Sequence, residues 1–202
     1  MASIRGVWLT LVVAGACVPL ATVGGVHDDD PALRRMHGEF VDAFVDSRGF
    51  GRMRVTPMMA RMRDARFEAV DEHGRCVIEV ELVGVARHDP PVVHAASFMG
   101  FQHPDGDSGL RAPPASTRGL HAWEREALAA LASGRELVVQ DTPRGERAMG
   151  AIRARPACLS CHEDHREGDV LGALAYGLGR FSISAQAAER RSCEPALVAS
   201  SR

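Results

Sequence analysis

The chain has 202 residues and a formal net charge of −2 at pH 7. Its 24 basic residues are all arginine, and no basic run exceeds two residues, so the electrostatic footprint of a nucleic-acid-binding protein is missing. Beyond the apolar N-terminus about 175 residues remain, which is enough for one compact domain with its own core.

The N-terminus has the pattern of an export leader. Arg5 precedes an uncharged apolar run from Gly6 to Val26, and three aspartates at 28–30 end that run. We interpret residues 1–26 as a signal peptide or a retained membrane anchor, because the run approaches the length of a spanning helix. Lipidation at Cys17 is a third alternative. In each case the rest of the chain is exported and faces the periplasm or the outer side of the membrane.

The exported region starts with a predicted amphipathic helix over residues 31–46. Asp30 can cap its first turn, and Pro31 occupies the first helical position. Its apolar side chains recur at helical spacing: Leu33, Met36, Phe40 and Phe44. The following segment, 53–66, has no clear periodicity, and we interpret its methionines as core side chains.

Three successive strands of an antiparallel meander are predicted next. They cover residues 66–70, 75–86 and 92–98, and the turns between them contain the sequences DEHG and HDPP. Residues 99–119 are rich in glycine, proline and serine, which predicts a long irregular loop.

The C-terminal half predicts one further helix and three strands. The helix covers residues 120–133, and Gly134 lies just past its end. The strands cover residues 136–142, 146–155 and 169–179. From Ser182 onward the chain has the composition of a disordered polar tail.

These elements predict a mixed α/β (α+β) fold with an antiparallel sheet and flanking helices. We expect a single domain over residues 27–181, followed by the polar tail 182–202. Cys76 lies in a predicted strand and Cys193 in the tail. They can form a disulfide or remain unrelated thiols.

The strongest chemical signal is the stretch ACLSCHEDH, residues 157–165. Chance would place a Cys-x-x-Cys-His string in a chain of this composition only ~0.005 times. In c-type haem attachment each vinyl group takes one cysteine sulfur, and the imidazole of the next residue reaches the iron. We therefore expect Cys158 and Cys161 to anchor one covalent haem c, with His162 as the proximal iron ligand.

Two other chemistries suit the same residues. A zinc ion needs four ligands, which Cys158, Cys161, His162 and His165 can supply. A redox dithiol needs the two cysteines alone. Haem is favoured because it is joined to such a string after export, in the compartment that the leader implies.

The flanking sequence resembles a known family. ARPACLSCH followed by REGDVLGALAYGL resembles the C-terminal signature of exported bacterial single-haem domains with a PAS-like core. LRAPPASTRGLHAWEREAL, residues 110–128, is similar to that family's Arg-x-Pro loop and the helix after it, whose aromatic-Glu pair is here Trp123-Glu124. The two stretches lie within residues 110–178. The resemblance implies a PAS-like fold, one covalent c-type haem near the C-terminus, and a role in electron transfer or in redox or gas sensing.

A sixth iron ligand has to come from another part of the chain. The candidates are the methionines and five histidines: His37, His88, His94, His103 and His121. We prefer His94, because it shares one face of its predicted strand with three apolar residues: Val92, Ala96 and Phe98. His88 and His103 lie beside prolines in predicted turns. The alternative for His94 is a hydrogen-bonded core histidine. The next candidates are methionines: Met53, Met58 and Met99.

These observations favour an exported mono-haem, cytochrome-like electron carrier with an unidentified redox partner protein. A haem-based redox or gas sensor is the alternative, and the two differ in whether the sixth iron position exchanges its ligand. The sequence contains no nucleophile elbow, no glycine-rich phosphate loop and no second haem string. A carrier or a sensor is therefore favoured over an enzyme.

Overall fold

The computed structural model describes six parts of the chain: residues 30–48, 57–65, 68–94, 117–142, 145–181 and 193–195. The predicted leader, 1–26, lies outside them. Within them the chain forms four helices and seven strands in a mixed α+β fold. None of the helices in these ranges combines the length and the hydropathy that a bilayer crossing requires.

The four helices are α1 (Pro31–Asp46), α2 (Pro57–Asp64), α3 (Ala122–Ala132) and α4 (Pro156–Leu159). The start of α1 is as predicted, since the Asp30 carboxylate accepts a hydrogen bond from the N–H of Leu33 at 3.0 Å, and Pro31 follows the cap. Just past α3, Gly134 has a φ of +110°, a conformation that glycine adopts without strain. The segment 53–66, whose sequence shows no clear periodicity, contains α2.

Seven strands form an open antiparallel sheet. They are β1 (Arg75–Gly84), β2 (Val92–His94), β3 (Thr117–Gly119), β4 (Leu137–Thr142), β5 (Gly145–Arg153), β6 (Val170–Phe181) and β7 (Cys193–Pro195). Their order is β3-β2-β1-β6-β5-β4, and β7 pairs with the C-terminal end of β6. The middle of the sheet is therefore the pairing of β1 with β6, two strands that are distant in sequence.

Helices cover both faces of the sheet. On one face, α1 and α2 pack over side chains that include Leu82 and Tyr176, and Phe40 of α1 is fully buried there. Successive strand residues point to opposite faces, so Val83 faces the other side, where α3 contributes Leu131. Burying a side chain the size of Phe40 stabilises the fold by about 1.5–3 kcal/mol.

The first predicted strand, 66–70, is wrong in its described part. Residues 68–70 lead into a turn, where Asp71 Oδ1 accepts hydrogen bonds from the N–H groups of His73 and Arg75 at 3.0 and 3.1 Å. The N–H of Val70 bonds to the Arg75 carbonyl at 2.7 Å, which closes the turn. The local hydrogen bonds of Asp71 thus form in place of the strand-to-strand hydrogen bonds that the apolar pattern predicts.

The predicted loop 99–119 is wrong at its C-terminal end, where Thr117–Gly119 forms β3. This strand consists of three residues at the sheet edge, and pairing with β2, including His94 with Thr117, holds it in place. Such a short strand has no periodicity to detect. Residues 95–116 lie outside the described ranges, and so do Ala96 and Phe98 of the predicted His94 face.

The tail differs from the expected disorder at Cys193–Pro195. These residues form β7, and Cys193 makes a disulfide with Cys76 of β1 across a sequence separation of 117. The structure therefore has Cys76 and Cys193 as a disulfide and not as two unrelated thiols. The rest of 182–202 lies outside the described residues.

Candidate functional site

The Cys-x-x-Cys-His string folds into α4 and the turn after it. Arg155 is the N-cap and Pro156 opens the helix. The N–H groups of Cys161 and His162 both donate to the Cys158 carbonyl, each at 3.1 Å. Cys158 is half-buried, Cys161 is exposed, and both are free thiols. The string therefore has a defined local structure, and neither of its sulfurs is used in a disulfide.

A cavity of ≈ 490 Å³ lies beside this turn. The string contributes Cys158, Cys161 and His162 to its lining. Other elements contribute Phe44, Val45, Arg48, Leu82, Gly84, Arg87, His88, His94, Ile152 and Gly172. The volume falls within the range of cofactor sites, about 300–1,000 Å³. We call this space the motif cavity.

Two paired glycines, Gly84 of β1 and Gly172 of β6, lie in the lining of the motif cavity. A Cβ atom on Gly84 would lie 2.6 Å from Cδ2 of His88, and one on Gly172 would lie 2.7 Å from the carbonyl oxygen of Val83. Neither position can carry a side chain without a shift of its surroundings. At Gly84 the rings of His88 and His94 occupy the space that a side chain would take, and at Gly172 the carbonyl of Val83 on β1 does so.

The hairpin between β1 and β2 brings His88 next to His94. Their Nε2 atoms are 3.2 Å apart, and their ring centroids are 4.9 Å apart. Burial and the neighbouring His88 lower the pKa of His94, which favours its neutral imidazole. His88 does lie in a turn, as its neighbouring prolines indicate, and it lines the same cavity as His94.

The charged groups of the motif cavity are cationic. Arg48, just beyond α1, and Arg87, beyond β1, line it, and its described lining contains no Asp or Glu. Arg87 Nη2 donates a hydrogen bond to the Cys161 carbonyl at 2.6 Å, which ties the hairpin to the Cys-x-x-Cys-His string. Burial, Arg87 and His165 lower the pKa of His162. The cavity thus suits an anionic ligand, and the lowered pKa values of His94 and His162 favour their neutral imidazoles.

The other candidates for a sixth ligand lie outside the motif cavity or outside the described residues. His37 is buried, with Tyr176 and Ala151 on its two ring nitrogens. His121 is exposed at the N-cap of α3, and Met58 lies in the core under α1. The remaining three are not described: His103, Met53 and Met99.

The zinc alternative involves His165. This ring lies edge-on to His162 with 5.8 Å between centroids, and its Nδ1 is 2.9 Å from a carboxylate oxygen of Asp164. In the described part of the chain, no group of three or more His, Cys, Asp or Glu side chains is placed to hold a metal ion.

Gly84, Arg48 and Arg87 are among the cavity residues that were not anticipated from the sequence. The turn HDPP between two strands is the one signal for the His88–His94 pair, because a hairpin brings its two ends together. Arg48 follows a helix end and Arg87 follows a strand, and neither position has a pattern that points to a cavity.

No family model matches the chain, and no curated protein or solved structure matches it significantly.

Proposed function

We propose that this chain is an exported mono-haem c-type cytochrome-like protein with a PAS-like core. Cys158 and Cys161 would be the thioether anchors, and His162 the proximal iron ligand. The observation that carries the proposal is that this string and two further histidines line one cavity whose wall includes paired glycines. The antiparallel sheet with helices on both faces is compatible with the PAS-like core that the family resemblance implies.

The residues of the motif cavity fit haem in polarity and charge. The wall of the cavity includes the apolar side chains of Leu82 and Ile152, which suit an apolar macrocycle. Arg48 and Arg87 can pair with the two propionates, for which guanidinium groups are well suited. When bound, the haem supplies a one-electron iron couple.

Electron transfer is the function that we favour. Cys161 is exposed, so a haem joined to it would have an edge near the protein surface, where a redox partner protein can approach. His94 is our first choice as sixth ligand because it lies in the same cavity as His162 and its lowered pKa favours the neutral, ligating form. Export to the periplasm, by way of the predicted leader, supplies the compartment in which haem c is attached.

A haem-based redox or gas sensor is the second candidate. The Nε2 atoms of His88 and His94 lie within hydrogen-bonding distance of each other, so the described residues allow both imidazoles to be engaged away from the iron. A carrier should keep the iron six-coordinate in both redox states, whereas a sensor should bind carbon monoxide in the ferrous state. Spectra of the reduced protein with and without carbon monoxide separate the two.

The central proposal is tested by covalent haem retention. The full chain is expressed with an export pathway and the cytochrome c maturation system, and haem is extracted with acidified acetone. The wild type should keep its haem in the protein fraction, and the double variant Cys158→Ala/Cys161→Ala should lose it. The matched control is Cys76→Ala/Cys193→Ala, which also removes two cysteines and should keep the haem. A colourless, zinc-loaded wild type from haem-replete cells would contradict the proposal.

A further inference from the structure

We infer that the sixth coordination position of the iron is shared by His88 and His94, either of which can ligate when the other is removed. The inference rests on the proposed haem function and adds His88 as a second ligand in the same cavity. It follows from the geometry of the hairpin that joins β1 to β2.

The two imidazoles converge on one point. His88 lies in the turn after β1 and His94 at the end of β2, yet their Nε2 atoms are 3.2 Å apart. The ring centroids are 4.9 Å apart with an angle of 65° between the planes. A group that can be reached by one Nε2 is therefore within a small side-chain movement of the other.

Gly84 provides the space for the pair. A Cβ at this position would lie 2.6 Å from Cδ2 of His88 and 3.0 Å from Nε2 of His94. Both rings thus pass over the same glycine, and both line the motif cavity together with His162. The glycine accommodates the two imidazoles at once, so His88 belongs to the site as much as His94 does.

The chemistry of the pair allows either ring to become the ligand once the hydrogen bond between them opens. In a hydrogen bond between two neutral imidazoles, one Nε2–H donates and the other Nε2 accepts with its lone pair. The accepting nitrogen has the protonation state that iron ligation requires. Since either ring can take either role by a change of tautomer, neither histidine is fixed as the donor.

The experiment compares the ferric spectra of four haem-loaded proteins: wild type, His88→Ala, His94→Ala and the double variant. We expect low-spin spectra from the wild type and from both single variants. The double variant should lose the low-spin spectrum, become high-spin and bind cyanide, and added imidazole should restore the low-spin state. His73→Ala, at an exposed position outside the cavity, is the control and should match the wild type.

Several results would overturn the inference while leaving the haem proposal intact. A high-spin spectrum from one single variant alone would assign the ligand to that histidine only. A low-spin double variant would place the ligand elsewhere, and a high-spin wild type would mean that neither histidine binds the iron. A double variant that imidazole fails to restore would show a damaged site instead of a missing ligand, which also contradicts the inference. If no protein retains haem after acidified acetone, the proposed function itself fails.

Discussion

His37 and Tyr176 form a hydrogen bond in the core, with 2.8 Å between Nδ1 and the phenolic oxygen. The Nε2 of His37 lies 3.0 Å from the carbonyl oxygen of Ala151. A carbonyl oxygen only accepts, so Nε2–H donates to Ala151, and Nδ1 accepts from the Tyr176 hydroxyl. Both nitrogens of the neutral ring are thereby satisfied, and His37 joins α1 to β5 and β6.

The His37 contact predicts a pH dependence of stability. Burial lowers the pKa of His37 below its ordinary 6.5, although the Ala151 carbonyl acts in the opposite direction. As pH falls below 6.5, the unfolded chain therefore takes up a proton that the folded protein refuses, and the free energy of unfolding decreases. His37→Gln keeps hydrogen-bonding capacity without a titrating ring, and it should reduce this decrease between about pH 7 and pH 5.

Urea denaturation at several pH values measures the effect. The decrease should be smaller in His37→Gln but still present, because the pKa values of His94 and His162 are also lowered. The control His73→Gln changes a histidine on the surface and should leave the pH dependence as in the wild type. If the free energy of unfolding falls equally with pH in His37→Gln and in the wild type, this role of His37 is ruled out.

The ring of His37 packs directly against Gly150, where there is no room for a side chain. A Cβ on Gly150 would overlap three atoms of the His37 ring, so Gly150→Ala has to displace a ring that is held by hydrogen bonds at both ends. We expect a loss of about 1–3 kcal/mol in the free energy of unfolding. Gly38→Ala in α1 is the matched control, because nothing lies within 4 Å of the new methyl group. It should stabilise the helix by about 0.5–1 kcal/mol. Thermal melts that shift in the same direction for both variants would contradict the prediction.

The disulfide Cys76–Cys193 should make a large contribution to stability. It closes a loop with a sequence separation of 117, and a cross-link of this kind restricts the unfolded chain. The variant Cys76→Ala/Cys193→Ala should lose about 2–5 kcal/mol, measured by denaturant unfolding without reductant. Adding reductant should bring the wild type toward the variant. The control is Cys161→Ala, which alters an exposed free thiol, and it is compared with the wild type with both proteins free of haem. Identical unfolding curves for the wild type and the double variant would count against the disulfide.

Arg118 of β3 holds a buried carboxylate. Its Nη1 and Nη2 bond to the two oxygens of Glu124 at 2.8 Å, and Nη2 also bonds to Glu81 at 2.7 Å. Burial alone would raise the pKa of Glu124, but Arg118 and the N–H of His121 lower it overall. Arg118→Met leaves a largely buried charge without its partner, and the pKa of Glu124 should then rise.

We expect Arg118→Met to cost about 2–3 kcal/mol, less than for a fully buried pair because 31% of the Arg118 side chain is exposed. The control is Arg63→Met, which breaks the exposed pair with Asp64 and should change the stability by less than about 1 kcal/mol. Similar losses in the two variants would mean that the burial of Glu124 is unimportant.

Elements with strong local signals were predicted well from the sequence. Asp30 and Pro31 indicate the start of α1, and Gly134 indicates the end of α3. The strands β4, β5 and β6 also lie where predicted, because their apolar runs are long. These signals depend on neighbours within a few residues, so they are visible without knowledge of the tertiary structure.

What escaped prediction depends on distant partners. The strand β3 exists through its pairing with β2, and β7 through β6 and the disulfide to Cys76. In the candidate site, spacing alone singles out Cys158, Cys161 and His162, and the structure places all three in the lining of one cavity. The neighbours that shape the cavity, such as Gly84 and Arg48, come from other elements, and no local pattern indicates their position.

The place of β6 in the sheet also sets an order of events during synthesis. Because β6 lies between β1 and β5, the hairpins formed by β1–β2 and by β4–β5 cannot join until β6 has emerged. The chain appears N-terminus first, and Cys158 and Cys161 come directly before β6. Both thiols are thus presented on an open chain for an interval before the cavity around them closes, and an enzyme that modifies them would have that interval in which to work.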